Sequence, residues 1–236
     1  MNKKIKIIIL SLCITFSVSM QSFSLSYIEN NSSQSLKNDA ILNDNYDLEY
    51  AFKNIELNDY DINKMNSLEK EVFNELLEYS FDEANLEYTD ENKEIVLSLL
   101  NENNNLGTIF SENNNIYFRS STNSKKTKVR IKNNHAAAAF NTIIGAVLGG
   151  ITGKAGTVAM NALIDKMGKK AAINLVKNKA LSQIKNKLIY WGMNGTASKV
   201  SSFLGSALYN LLDPGTALAK LLDKNDRWGA NGYIEV

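Results

Sequence analysis

The sequence predicts a mainly α-helical protein with three parts. These are an acidic helical N-terminal region, a small β-hairpin or strand element in the middle, and a Gly/Ala-rich cationic helical bundle at the C-terminus. Three observations predict it. Apolar residues recur at helical spacing in the long segments of both halves. Short β-like runs cluster between residues 106 and 132, where Asn-rich turns separate them. The charges are segregated behind an overall +1: residues 27–124 carry 6 basic and 20 acidic side chains, and residues 125–236 carry 17 basic and 5 acidic. An acidic half ahead of a basic half suggests that one masks the other, or that the basic half has anionic partners.

Residues 1–26 read as a secretory signal peptide. Lys3, Lys4 and Lys6 precede an apolar run from Ile7 to about Met20, too short for a comfortable membrane span. Small residues place cleavage near Ser26; the alternative is an uncleaved N-terminal anchor. Cys13 is the only cysteine, and Leu12 is too large for a lipoprotein cleavage site in front of it. Removal of the signal leaves no thiol and hence no disulfide.

Residues 27–124 form the acidic pro-region. Its start, 27–45, is Asn/Ser-rich and reads as a flexible leader. A short helix is expected over Tyr46–Tyr60. Met65, Leu68, Val72, Phe73, Leu76 and Leu77 fall on one face of the next helix, and Asn66 with Glu69 makes a capping box at its start. Ile95, Val96, Leu99 and Leu100 stripe a third helix, with Asp90 as its expected N-cap. The many carboxylates here read as solvated helix faces, since acid–base catalysis needs a pair in contrasting environments within a cleft.

Leu106–Phe110 and Ile116–Ser120 flank SENNN as a hairpin would, and Lys128–Lys132 alternates like an exposed strand. Residues 125–134 form a basic linker or strand. Lys125, Lys126, Lys128 and Arg130, with Ser26, are the candidate processing positions; for the basic run the alternative is a solvated strand.

Residues 135–236 form the cationic amphipathic domain. Ala136–Ile151 makes about four turns of small and apolar residues, and Gly145 and Gly149 have the small-xxx-small spacing of helix packing. That length is a marginal membrane span, and a buried helix of a soluble core fits equally. A long helix from about Thr157 to Tyr190, divided near Gly168, carries a stripe of Ile173, Val176, Ala180, Ile184, Leu188 and Trp191. Lysines lie mostly off the stripe, with Lys177 intruding on it. Val200, Phe203, Leu204, Ala207, Leu208, Leu211 and Leu212 stripe a further helix, capped by Thr196 or Ser198. Pro214, the only proline, opens the last helix behind Asp213 as N-cap. Asn231-Gly232 signals a turn before a short terminal strand.

His135 is the only histidine, and no His-containing triad, Cys/His cluster or phosphate loop is present. The sequence proposes no catalytic set and no cofactor, so the chain reads as a non-enzyme.

The Ala136–Gly150 run followed by the lysine-rich helix resembles the precursors of secreted bacteriocins of Gram-positive bacteria, and WGANGYIEV resembles the tails of small secreted proteins from such bacteria. The leader departs from that pattern, being a general secretion signal, and the basic half is long for such a peptide. The resemblance implies a secreted precursor of a membrane-active cationic antimicrobial peptide or toxin. Its partners would be anionic lipid membrane, its own acidic pro-region and an immunity protein, with room for self-association and no role for nucleic acid. Lys166, Lys169, Lys170, Lys177, Lys179, Lys185 and Lys187 would supply attraction to the membrane; Tyr190, Trp191, Phe203 and Trp228 would anchor at its interface. The alternative is a secreted, non-catalytic helical binding module or cell-surface-associated protein.

Overall fold

Twenty consecutive residues without a charge, Asn133–Thr152, form the helix that the other layers cover. The computed structural model describes residues 40–101, 130–154, 156–209, 213–226 and 228–235, and the described residues from Leu42 onward form one compact unit. Among the described residues there are nine α-helices and one two-stranded antiparallel sheet, the mainly helical fold with a small β element that the sequence predicts. The expected hairpin of 106–120 lies outside the described residues.

Helix α1 (Ala40–Leu57) starts earlier than expected, inside the stretch read as a flexible leader. It ends in a turn where Asp59 (φ 53°) and Tyr60 (φ 60°) both take left-handed backbone. A short 3-10 turn, Ile62–Lys64, leads to α2 (Ser67–Glu83). The capping box is present: Asn66 Oδ1 accepts from Glu69 N, and Glu69 Oε2 accepts from Asn66 N, each at 3.0 Å. Asn54 Nδ2 donates to the other oxygen of Glu69 at 2.7 Å, so the same cap ties α2 to α1. The α2 stripe is buried as expected except for Leu68, which is exposed. Helix α3 (Asp90–Leu100) is capped by Thr89 rather than Asp90. The threonine hydroxyl accepts from Asn92 N at 3.2 Å, and Asp90 becomes the first helical residue.

Strand β1 (Arg130–Lys132) pairs with the terminal strand β2 (Tyr233–Glu235), with Ile131 opposite Ile234. Both isoleucines are buried. The central helix, α4 (Asn133–Thr152), follows β1 directly. It begins before the expected Ala136 because tertiary partners occupy its first-turn polar groups. Asn133 N donates to Gly232 O, and Asn133 Nδ2 donates to Asp223 at 2.6 Å. Gly153, at φ 65°, ends α4 in the left-handed conformation that closes many helices.

The expected division of the next long helix falls at Gly168, whose φ of 83° separates α5 (Gly156–Met167) from α6 (Lys169–Tyr190). Every residue of the predicted α6 stripe is buried. A four-residue helix, α7 (Asn194–Ala197), precedes α8 (Val200–Leu208), and Leu211 and Leu212 of the expected stripe lie outside the described residues. Neither Thr196 nor Ser198 caps α8; Ser198 Oγ donates instead to Gly195 O at 2.8 Å. Helix α9 (Pro214–Asn225) has the expected cap, Asp213 Oδ1 accepting from Thr216 N at 2.9 Å.

Helices α2, α3, α5, α6 and α9 surround α4, and α8 bridges α6 and α9. A single core cluster runs through helices of the acidic and of the basic half.

Candidate functional site: the caged central helix

Helix α4 is about 30 Å long at 1.5 Å per residue, close to the thickness of a bilayer's hydrocarbon layer. Among the described residues it is the one helix long and apolar enough to cross a membrane. Each residue from His135 to Gly149 is buried. A helix enclosed on every side has no solvent stripe to display, which accounts for its small and apolar residues all round.

The acidic half supplies much of the enclosure. Leu76 of α2 packs on Gly145, where a β-carbon would stand 2.5 Å from Leu76 Cδ1. Phe52 of α1 packs on Gly149, where a β-carbon would overlap the aromatic ring. Gly145 and Gly149 therefore do admit close helix packing, and the partners are α2 and α1 of this chain. Tyr79 of α2 occupies the space beside Gly156 in the same way.

Polar contacts fix the layers. Asn141, buried in mid-helix, donates from Nδ2 to Asp213 Oδ1 at 3.0 Å and accepts at Oδ1 from Gly215 N at 2.7 Å. It thereby seats the N-terminus of α9 on α4. The signal in the sequence was a lone Asn in an otherwise apolar run, and periodicity gives such a residue no role. His135 Nε2 lies 2.9 Å from Asn92 Oδ1 of α3. Asn92 Nδ2 already donates to Glu87 O, so the imidazole donates at Nε2. Burial, helped by the charge of Lys132, lowers the His135 pKa to about 4 and keeps the ring neutral.

Further along α4, beside Asn141 and Gly145, Tyr79 donates from its hydroxyl to Glu83 and accepts from Thr157 N at 3.2 Å. Burial raises the Glu83 pKa to about 7, with the charges of Asp213 and Asp82 adding to the rise against the Tyr79 hydrogen bond. The Tyr79 phenol is raised as well, by burial and by Glu83. Tyr79, Glu83, Asn141, Gly145, Gly156 and Pro214 border a cavity of about 20 Å³, the size of one water molecule. That volume admits no organic substrate. Among the described residues no three His, Cys, Asp or Glu side chains converge as metal ligands.

The residues expected at a membrane surface divide into distinct groups. Lys187 is 2% exposed and pairs with Asp59. Trp191 is also in the core, where its indole N–H donates to Leu99 O of α3 at 3.0 Å and its ring lies 5.2 Å from Phe140. Both sit on the buried side of α6 because the stripe continues through Leu188, so neither faces solvent. Lys177 is half-buried over Gly205 of α8. Lys179 is exposed, and its charge acts on Glu56 of α1. Lys166, Lys169, Lys170 and Lys185 are exposed. Tyr190 and Phe203 are half-buried, and Trp228 is exposed.

Of the processing candidates, Ser26, Lys125, Lys126 and Lys128 lie outside the described residues. Arg130 sits in β1, its Nε 2.6 Å from Glu235 Oε1 and its guanidinium 4.2 Å from the Tyr233 ring. The tail has a built fold of its own. Asp223 accepts from Asn231 N and Gly232 N, and Asp226 accepts from Trp228 N, Gly229 N and Glu235 N. Two carboxylates thus organise the WGANGYIEV segment, a role that no sequence spacing suggested.

Compared with family models, curated proteins and solved structures, the chain matches none.

Proposed function

We propose that this chain is a secreted, bacteriocin-like precursor of a membrane-active cationic protein, in which the acidic segment keeps the basic segment soluble until it meets an anionic membrane. The observation that carries the reading is the enclosure of α4. A charge-free helix of membrane-spanning length lies at the centre, and helices of the acidic half cover Gly145, Gly149 and His135. In water, uncovering α4 is opposed by the hydrophobic effect, on the order of 25 cal/mol per Å² of apolar surface. At a bilayer that opposition disappears, because lipid covers the same surface. The exposed lysines supply approach to anionic headgroups, each contributing about 1 kcal/mol near the surface.

The test is dye release from phosphatidylglycerol-containing vesicles. Residues 135–236 alone release dye, the whole chain does so more slowly, and added salt weakens both. Absence of release by the fragment, together with absence of salt-dependent binding, refutes the reading.

A second reading, a secreted non-catalytic helical binding module, is favoured by one specific feature. The contacts Lys187–Asp59 and Trp191–Leu99 join the two halves as any stable domain would be joined. It predicts a full-length product in the medium that stays folded and ignores vesicles.

A further inference from the structure

The membrane reading leaves open which surface touches lipid first, and the geometry points to the tip where α5 turns into α6; this inference rests on that reading. We infer that the tip, formed by Lys166, Met167, Lys169, Lys170 and Tyr209, is the docking surface for a bilayer bearing anionic headgroups.

Three observations support it. The first is charge. Lys166, Lys169 and Lys170 are all exposed and fall within five residues, and the nearest acid in sequence is the single Asp165. Three of the other four lysines of α6 are differently engaged, and Lys185, exposed, lies fifteen residues beyond Lys170 along the chain. Lys187 is buried against Asp59, Lys177 lies over Gly205, and Lys179 faces Glu56. The second is the pairing of apolar with cationic groups. Met167 is 39% exposed and Tyr209 is 57% exposed, and Lys169 Nζ stands 5.5 Å from the Tyr209 ring. A tyrosine ring with an ammonium beside it suits the headgroup layer, where one end is wet and the other apolar. The third is shape. Gly168 takes φ 83° with nothing near its α-carbon on the side-chain side, and Met167, Lys169, Lys170 and Asn174 border an open hollow of about 460 Å³. Lipid phosphates can approach the lysines there without displacing a side chain.

A bilayer docked at the tip meets the connection from α5 to α6 first. Helix α5 follows directly on α4 in the chain and packs against it. Docking therefore brings the element joined to the caged helix to the lipid surface.

The experiment measures binding of the purified protein to phosphatidylglycerol-containing vesicles and to pure phosphatidylcholine vesicles. A Lys166→Gln, Lys169→Gln, Lys170→Gln variant is compared with a charge-matched Lys199→Gln, Lys220→Gln, Lys224→Gln variant; all six lysines are exposed. Expected are binding to the anionic vesicles alone, a loss on the order of 100-fold for the tip variant, and a loss below about fivefold for the matched one. Equal losses in the two variants, or unchanged binding of the tip variant, overturn the tip while leaving the membrane reading standing. Absence of binding by the unmodified protein overturns both.

Discussion

Lys187 Nζ lies 2.5 Å from Asp59 Oδ1, joining a buried lysine of the basic half to a carboxylate of the acidic half. Beside this pair, Tyr60 donates from its hydroxyl to Gln183, and the Lys187 ammonium stands 5.8 Å from the Tyr60 ring. The left-handed turn at Asp59 and Tyr60 is what aims both groups at α6. Opposite charge on the two halves therefore has a specific structural expression as well as a general one.

Removing the carboxylate takes away the negative charge paired with a buried ammonium. Asp59→Asn destabilises the fold by about 1–3 kcal/mol in urea unfolding, discounted because Asp59 is 40% exposed. Asparagine tolerates the left-handed backbone, so the loss reports charge rather than strain. Lys187→Met, which removes the buried charge itself, costs less than Asp59→Asn.

The glycines of α4 differ in tolerance. Gly149→Ala forces a methyl into the Phe52 ring and lowers stability by about 1–3 kcal/mol, beyond the gain in helix propensity. Gly145→Ala meets only the flexible end of Leu76 and costs less. Phe52→Leu in the Gly149→Ala background recovers part of the loss, a coupling that a double-mutant cycle in thermal unfolding measures.

Glu83 and His135, packed at different points along α4, respond to pH with opposite sign. Glu83 has a folded pKa of about 7 against an ordinary 4.5, so its contribution is complete below pH 4.5 and is lost as pH rises to 7. His135 has a folded pKa of about 4 against an ordinary 6.5, so its contribution is complete above pH 6.5 and is lost as pH falls to 4. Between pH 4.5 and 6.5 the two slopes cancel. Relative to the unmodified protein, Glu83→Gln gains stability as pH rises through that window and His135→Gln loses it, each by about 1.4 kcal/mol per pH unit. Urea titrations at several pH values compare them. Parallel curves for all three proteins contradict the assignment.

The helices and their apolar stripes were legible in the sequence because periodicity reports burial directly. The stripe Ile173 to Trp191, the Asn66–Glu69 box and the Asp213 cap behind Pro214 all form. Periodicity does not report which helix covers which. Trp191 reads as an interfacial anchor from its type and its place at a helix end, yet it lies inside because α3 ends beside it and offers Leu99 O. Lys187 reads as one more lysine of a wet face, and only the turn at Asp59, distant in sequence, makes it a core residue. The pairing of β1 with the terminal strand and the carboxylates of Asp223 and Asp226 depend on contacts of the same long-range kind.

The two tryptophans provide an optical check on that placement. Trp191 is 2% exposed and Trp228 is 48% exposed. Acrylamide quenches the Trp228 emission and spares Trp191, so Trp228→Phe leaves a blue-shifted, poorly quenched signal. A strongly quenched residual emission in that variant contradicts the buried position of Trp191.

The most direct test of the cage is hydrogen exchange of the protein in solution and on phosphatidylglycerol-containing vesicles, read by mass spectrometry. The account predicts that Asn133–Thr152 is among the best protected segments in solution and stays protected on vesicles, while Ser67–Glu83 and Asp90–Leu100 lose protection as they leave it. Vesicle-bound protein whose acidic helices keep their solution protection contradicts the account.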